Sequence, residues 1–128
     1  MKKILIIGGG AMGSAFTFPC IDNKNEVTIT EPYNKTFIKN LSSKKKYHSS
    51  LKINLPNKLK YKKYSTHLLK NKYDLVVVAL SLSGINFISE EFKKSSIKSP
   101  ILILTKGLKY EKKKQKIFTI SEDIKLSL

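Results

Sequence analysis

The fold of this chain is decided by residues 3–13, which read KILIIGGGAMG. An aliphatic run from Lys3 to Ile7 that stops at three glycines is typical of a buried parallel strand. The residues from Ala11 to about Asp22 have a helical pattern, and Glu26 to Thr30 has the composition of a second strand. A strand, a helix and a strand in this order predict a right-handed crossover in a parallel sheet.

The rest of the chain continues this alternation of helices and strands. The sequence predicts further helices over Tyr33 to about Leu41, over Thr66 to Asn71, from just after Gly84 to about Lys94, and from about Tyr110 to Leu128, the last from the spacing of Ile117, Ile120, Ile124 and Leu128. It predicts a loop over Ser42 to Ser50, and extended segments or strands over Leu51 to Pro56, Leu59 to Tyr61 (an edge strand), Leu75 to Leu80 and Ile101 to Thr105. We therefore expect one α/β domain over residues 1–128. Its fold is a Rossmann-like, doubly wound parallel sheet of about five strands.

The composition excludes several classes of protein. The formal net charge is +16, but all 25 basic residues are lysines, whereas arginine is favoured for bidentate contacts with guanine and phosphate. We interpret clusters such as Lys44 to Lys46 and Lys112 to Lys114 as solvated surface, and we expect no nucleic-acid partner. The longest apolar runs are far shorter than the ~20 residues that span a bilayer, so no membrane insertion is expected.

The single cysteine and the two histidines of the chain do not indicate a metal site or a disulfide. Cys20 is the only cysteine, so it is predicted to be a buried small hydrophobe, and a reducing cytoplasm is the expected compartment. His67 is predicted at a helix start or on the surface, and His48 in a loop, near a cofactor at best. Neither has partners at the spacing of metal ligands, so no metal site is predicted.

Gly8, Gly10 and Gly13 form the pattern G-x-G-x-x-G where the first strand meets the first helix. In that context the first glycine permits the turn, the second lets a pyrophosphate approach the backbone, and the third allows close packing of helix on sheet. The free N–H groups at the helix start, together with the helix dipole, would bind the phosphates of a dinucleotide. The alternative is a glycine-rich turn that binds nothing.

Glu31 ends the second strand, 18 residues after Gly13. An acidic side chain at this place accepts hydrogen bonds from the hydroxyls of the adenosine ribose and repels a 2′-phosphate, so Glu31 predicts NAD rather than NADP. The alternative is an exposed acid at a strand end, with Pro32 turning the side chain away from the site.

Four parts of the chain, in order and at fitting intervals, carry a resemblance to a known family. They are IGGGAMGSA at 7–15 with DNKNEV at 22–27, Tyr47-His48 with LPNKL at 55–59, Asp74 to Ala79 with Ser81, and TKGL at 105–108. In these parts the chain resembles the N-terminal half of the NAD(P)-dependent glycerol-3-phosphate dehydrogenases, which transfer a hydride between NAD(P)H and dihydroxyacetone phosphate or sn-glycerol 3-phosphate.

The resemblance implies roles for particular residues. The backbone at Ala11 and Met12 would contact the pyrophosphate, Tyr47 would lie near the cofactor, and Lys106 would reach both the nicotinamide ribose and the substrate. The place of Lys106 at the carboxyl end of a strand agrees, because ligands of parallel sheets bind at that edge. The alternative for Lys106 is a surface residue in a lysine-rich chain.

The chain also departs from the family pattern. Leu80 stands where many members have proline, and the arginines common after the second strand are absent. The resemblance covers less than half of a family member, whose general base and glycerol-phosphate site lie in a C-terminal domain. We therefore expect no catalytic residue here and no turnover by this chain alone. Its implied partners are a small phosphorylated substrate and the missing substrate domain, in a homodimeric full-length enzyme.

Two other functions stay open on the sequence. A ketopantoate reductase or another β-hydroxyacid-type dehydrogenase begins with a similar glycine-rich strand and helix, although the segment Lys106 to Leu108 argues against it. A stand-alone module that binds NAD without catalysis would use the same glycines and would form a stable, soluble chain.

Overall fold

The protein is described here by a computed structural model that covers residues 1–43 and 45–128. The predictions of a loop and a solvated lysine cluster at Lys44 lie outside the described residues. The strands are β1 (Lys3–Ile7), β2 (Glu26–Thr30), β3 (Tyr47–His48), β4 (Ile53–Asn54), β5 (Lys60–Tyr61), β6 (Leu75–Val78), β7 (Ile101–Ile103), β8 (Leu108–Glu111) and β9 (Lys116–Thr119). The helices are α1 (Ala11–Asp22), α2 (Lys35–Leu41), α3 (Ile85–Ser95) and α4 (Ile120–Ser127), with short 3-10 helices at Thr66–Lys70 and Leu82–Gly84.

Five of the strands form one parallel sheet in the spatial order β5-β2-β1-β6-β7. The register sets Ile7 beside Thr30 on one side and beside Val78 on the other. The carboxyl ends of the three central strands therefore lie level at one edge of the sheet. This order, with helices joining the strands, confirms the predicted Rossmann-like fold and places the predicted edge strand β5 at an edge.

The core lies on both faces of the sheet, because alternate residues of a strand point to opposite faces. Leu5 and Ile7 belong to an apolar cluster that includes Phe92 of α3, whereas Ile4 and Ile6 belong to a second cluster on the other face. Each such side chain contributes about 1.5–3 kcal/mol when fully buried. The unbroken apolar run of β1 follows from this burial on two faces.

Cys20 lies in the second of these clusters, on α1, and it is buried and free. This confirms its predicted role as a small hydrophobe. Burial raises the pKa of its thiol above the usual range. No helix in the described ranges is long and apolar enough to cross a membrane.

Several predicted boundaries need correction. Helix α2 begins at Lys35 rather than Tyr33, because Asn34 caps it by accepting a hydrogen bond from the Phe37 N–H. Strands β6 and β7 each end two residues before the predicted end. The segment predicted as a loop over residues 42–50 contains β3, which pairs with β4.

The predicted helix from Tyr110 is wrong over its first half. Residues 108–119 form the antiparallel hairpin β8–β9, and α4 begins only at Ile120. Thr119 accepts a hydrogen bond from the Glu122 N–H, while the Glu122 carboxylate accepts one from the Thr119 N–H. This capping box sets the start of the helix, so the spacing of Ile117 from Ile120 is not helical.

Candidate functional site

Two of the three motif glycines are required by the packing of β1, α1 and the chain after β6. Gly8 has φ +118°, and a Cβ on it would collide with the Ala79 carbonyl group. A Cβ on Gly13 would collide with the Gly8 carbonyl oxygen and would lie 3.0 Å from the Ala79 Cβ. A larger residue at either position would therefore push the strand and the helix apart.

The third motif glycine, Gly10, faces open space. No atom lies within 4 Å of the place where its Cβ would be, and the residue is exposed. Gly10 caps α1 without a side chain, and no acidic residue lies in the first turn of the helix. Within the described residues, the N–H groups of Ala11, Met12 and Gly13 have no hydrogen-bond acceptor. Open space in front of free N–H donors at a helix start fits a bound pyrophosphate.

Glu31 is buried and contacts the glycine loop, which consists of Gly8, Gly9 and Gly10. One of its carboxylate oxygens accepts a hydrogen bond from the Gly9 N–H (2.8 Å), and the other accepts from the N–H groups of Tyr33 (2.7 Å) and Asn34 (3.0 Å). With 6% of its surface exposed, Glu31 is not the exposed strand-end acid of the alternative interpretation. These bonds tie the end of β2 to the loop, a structural role that sequence reasoning missed; the ribose contact stays a prediction.

The carbonyl oxygen of Gly9 accepts hydrogen bonds from two buried side chains. The Ser14 hydroxyl donates over 3.0 Å, and His48 Nε2 donates over 2.8 Å. His48 Nδ1 accepts a hydrogen bond from the Leu51 N–H (3.1 Å), so the two ring nitrogens contact groups of opposite polarity. The prediction of His48 as a loop residue is therefore wrong, because it is a buried residue of β3 that contacts the loop.

Tyr47 lies beside the glycine loop. It lines a cavity of about 160 Å³ together with Gly9, Gly10 and His48. Tyr47 is exposed, with 45% of its surface accessible to solvent. The structure thus brings Tyr47 next to the predicted cofactor site, while a contact with the cofactor stays a prediction.

Lys106 lies at the same edge of the sheet, two strands away from β1. It is exposed and follows Thr105, whose hydroxyl donates a hydrogen bond to the Leu80 carbonyl (2.7 Å). Gly107 has φ +131°, and a Cβ on it would lie 3.2 Å from the Leu82 side chain. The segments after β1, β6 and β7 therefore lie side by side, so the lysine and the glycine loop share one edge.

Residues 3–127 match the family model of the NAD-dependent glycerol-3-phosphate dehydrogenase N-terminus. The chain belongs to this family. The match confirms the resemblance read from the four sequence segments, and the members of this family are NAD-dependent dehydrogenases. No curated protein sequence is similar enough to this chain to be matched.

Solved structures of two glycerol-3-phosphate dehydrogenases and of one other reductase have the same fold as this chain. The glycerol-3-phosphate dehydrogenase of Plasmodium falciparum superposes with a TM-score of 0.77 at 19% identity, over 99% of this chain and 38% of that one. The enzyme of Coxiella burnetii gives a TM-score of 0.76 at 17% identity, over 99% and 38%. A 2-dehydropantoate 2-reductase of Enterococcus faecalis gives 0.61 at 19%, over 84% and 34%. The chain spans less than two fifths of each of these proteins.

Two further features of this dehydrogenase family member lie away from the glycine loop. A larger cavity of about 790 Å³ is lined by residues 69–74 and 95–100, at the amino ends of β6 and β7. Ligands of parallel sheets bind at the opposite edge, so we do not assign the cofactor to it.

His67 is exposed in a 3-10 helix, as predicted, and no group of metal-ligating side chains occurs within residues 1–43 and 45–128.

Proposed function

We propose that this chain is the cofactor-binding portion of a glycerol-3-phosphate dehydrogenase, which moves a hydride between NAD(P)H and dihydroxyacetone phosphate or sn-glycerol 3-phosphate. The observation that carries the proposal is the open space around Gly10, in front of the N–H groups of Ala11, Met12 and Gly13, for which the described residues offer no acceptor. The bound nicotinamide supplies the hydride chemistry. The chain supplies the donors that bind and orient the dinucleotide.

NAD is the proposed cofactor because of Glu31. Its buried carboxylate lies at the end of β2, where the ribose 2′-position of a dinucleotide is bound in this fold, and a 2′-phosphate would meet a negative charge there. Separate titrations of the chain with NADH and NADPH test this choice. We expect NADH to bind more tightly, and tighter binding of NADPH would overturn it.

Lys106 is the proposed contact with both the nicotinamide ribose and the substrate. Lys106 is exposed at the carboxyl edge of the sheet, where its ammonium group would bind a substrate oxygen or phosphate. In an enzyme extended by the downstream domain, we expect Lys106→Met to weaken substrate binding and to leave NADH binding unchanged. The matched control is Lys112→Met, an exposed lysine in the turn between β8 and β9. Equal loss of both affinities would refute the role of Lys106.

The substrate domain of the complete enzyme is proposed as the main partner of this chain. Leu108, Tyr110 and Ile117 on the β8–β9 hairpin are each at least 60% exposed, which supports a covering surface from elsewhere in the enzyme. We propose that residues 1–128 alone do not turn over substrate, that the full-length enzyme is a homodimer, and that it works in the cytoplasm, where the free Cys20 stays reduced.

Assays of this chain and of an extended version test the substrate. With NADH, the extended version should reduce dihydroxyacetone phosphate, and residues 1–128 alone should not. Reduction of ketopantoate instead of dihydroxyacetone phosphate would overturn the proposed substrate in favour of the other class of dehydrogenase.

A further inference from the structure

The peptide group between Gly9 and Gly10 is held by its carbonyl side. His48 Nε2 and the Ser14 hydroxyl both donate to the Gly9 oxygen, at 2.8 and 3.0 Å. Ser14 is fully buried, and His48 is 5% exposed. Since a carbonyl oxygen has two lone pairs, these two donors use its whole capacity as an acceptor.

Fixing this carbonyl also fixes the Gly10 N–H. All described peptide bonds are trans, and in a planar trans peptide the carbonyl and the following N–H point in opposite directions. The Gly10 N–H therefore points away from His48 and Ser14. No described residue accepts a hydrogen bond from it, and the space beside Gly10 is open. This N–H thus joins the donors of the α1 start as a fourth group available to an anion.

The opposite orientation of the same peptide would disable the site. A flip would turn the carbonyl oxygen towards the open side, where its partial negative charge would repel a phosphate. Glycines on both sides of the peptide make such a flip sterically easy, so the sequence of the loop does not prevent it. The hydrogen bonds from Ser14 and His48 to the Gly9 carbonyl oxygen oppose the flip.

We propose that His48, assisted by Ser14, is a positioning residue that holds the Gly9–Gly10 peptide with its N–H towards the bound pyrophosphate. The inference rests on the proposed function, because it assigns the loop to a dinucleotide. His48 acts over a separation of 39 residues, from the β3–β4 hairpin. Its ring packs edge-on against Phe37, with centroids 5.7 Å apart, and the Phe37 ring also fills the space where Gly9 has no Cβ.

Two variants separate this role from a purely structural one. In His48→Gln, the side-chain amide nitrogen takes the place of Nε2 and can still donate to the Gly9 oxygen. In His48→Asn, the shorter side chain takes the place of Nδ1, so it can still accept from the Leu51 N–H but cannot reach Gly9. His67→Asn, at an exposed histidine, is the matched control.

The measurements are a fluorescence titration of the 128-residue chain with NADH and the amide NMR signal of Gly10. Loss of one neutral hydrogen bond predicts about fivefold weaker NADH binding for His48→Asn, with the Gly10 signal displaced. His48→Gln should bind within about twofold of the wild type, and His67→Asn should match it. If His48→Asn does not fold, Ser14→Ala removes the second donor and is expected to weaken binding to a similar degree.

Other outcomes overturn the inference. Wild-type affinity for NADH and an unmoved Gly10 signal in His48→Asn would show that the hydrogen bond from His48 to Gly9 does not set the orientation of the peptide. Weaker NADH binding by His48→Gln, with no loss in His48→Asn, would show that His48 acts only through its hydrogen bond with Leu51 in the β3–β4 hairpin. If the wild-type chain binds no NADH, the proposed function fails, and the Gly10 signal alone decides whether His48 sets the peptide orientation.

Discussion

Replacing Gly13 by alanine tests the packing of α1 against the sheet. The added Cβ would overlap the Gly8 carbonyl oxygen and lie 3.0 Å from the Ala79 Cβ. Gly8 and Ala79 directly follow β1 and β6, and the N–H of each donates a hydrogen bond to the neighbouring strand. Overpacking costs about 1–3 kcal/mol, and a clash with a backbone oxygen puts this case in the upper part of that range, at about 2–3 kcal/mol. The better helix propensity of alanine recovers at most about 1 kcal/mol. We therefore expect Gly13→Ala to lower the free energy of unfolding by about 1–2 kcal/mol.

The control for this variant is Gly10→Ala at the other end of the same turn. No atom lies within 4 Å of its Cβ position, and its φ of −66° suits any residue. Removing a glycine cap changes stability by less than about 1 kcal/mol. Urea and thermal unfolding give both values, and for a chain of this size the expected loss at Gly13 lowers the Tm by about 4–8 °C. Equal stability of the two variants would refute the packing argument.

Three further predictions concern stability. Gly8→Ala should cost more than about 1 kcal/mol, because φ +118° is strained for alanine and its Cβ meets the Ala79 carbonyl; thermal unfolding measures it, and an unchanged Tm would contradict it. Thr119→Ala removes the cap of α4 and should cost about 0.5–2 kcal/mol, seen in urea unfolding. Hydrogen bonds from Thr66 and other side chains lower the pKa of the buried Glu91. Its stabilisation should be complete above the unfolded pKa of about 4.3 and disappear as the pH falls through the lower folded value. Unfolding curves of wild type and Glu91→Gln from pH 7 to 3 should therefore converge, whereas a constant difference would contradict this assignment.

The first half of the sheet could be predicted closely because its signals are local. The aliphatic run of β1 stops at glycines, and the polar turn at residues 22–25 separates α1 from β2, so the bounds of all three elements match the structure. The burial of β1 also follows, because a strand covered on both faces needs an unbroken apolar run.

The hairpin β8–β9 was missed because two patterns overlap there. The spacing of Ile117, Ile120, Ile124 and Leu128 fits a helix. However, β8 alternates in burial, and the turn that follows it has Gln115 at φ +50°. Thr119 followed three residues later by Glu122 was a usable signal for a helix start.

The positions of Gly8, Gly10 and Gly13 in the candidate site followed from the motif, whereas its supporting contacts could not. His48 reaches Gly9 across 39 residues, and Glu31 reaches it across 22. No local pattern encodes a hydrogen bond between segments so far apart in the chain. The roles of these two side chains depend on the assembled sheet.

The most direct test of the account is the affinity of NADH for the wild-type chain and for Gly10→Val. No atom lies within 4 Å of the place of the valine Cβ, so the side chain would enter the open space in front of the α1 start, and the Tm should change by only a few degrees. We expect measurable binding of NADH by the wild type and at least about tenfold weaker binding of NADH by Gly10→Val. A folded Gly10→Val protein with undiminished affinity for NADH would contradict it.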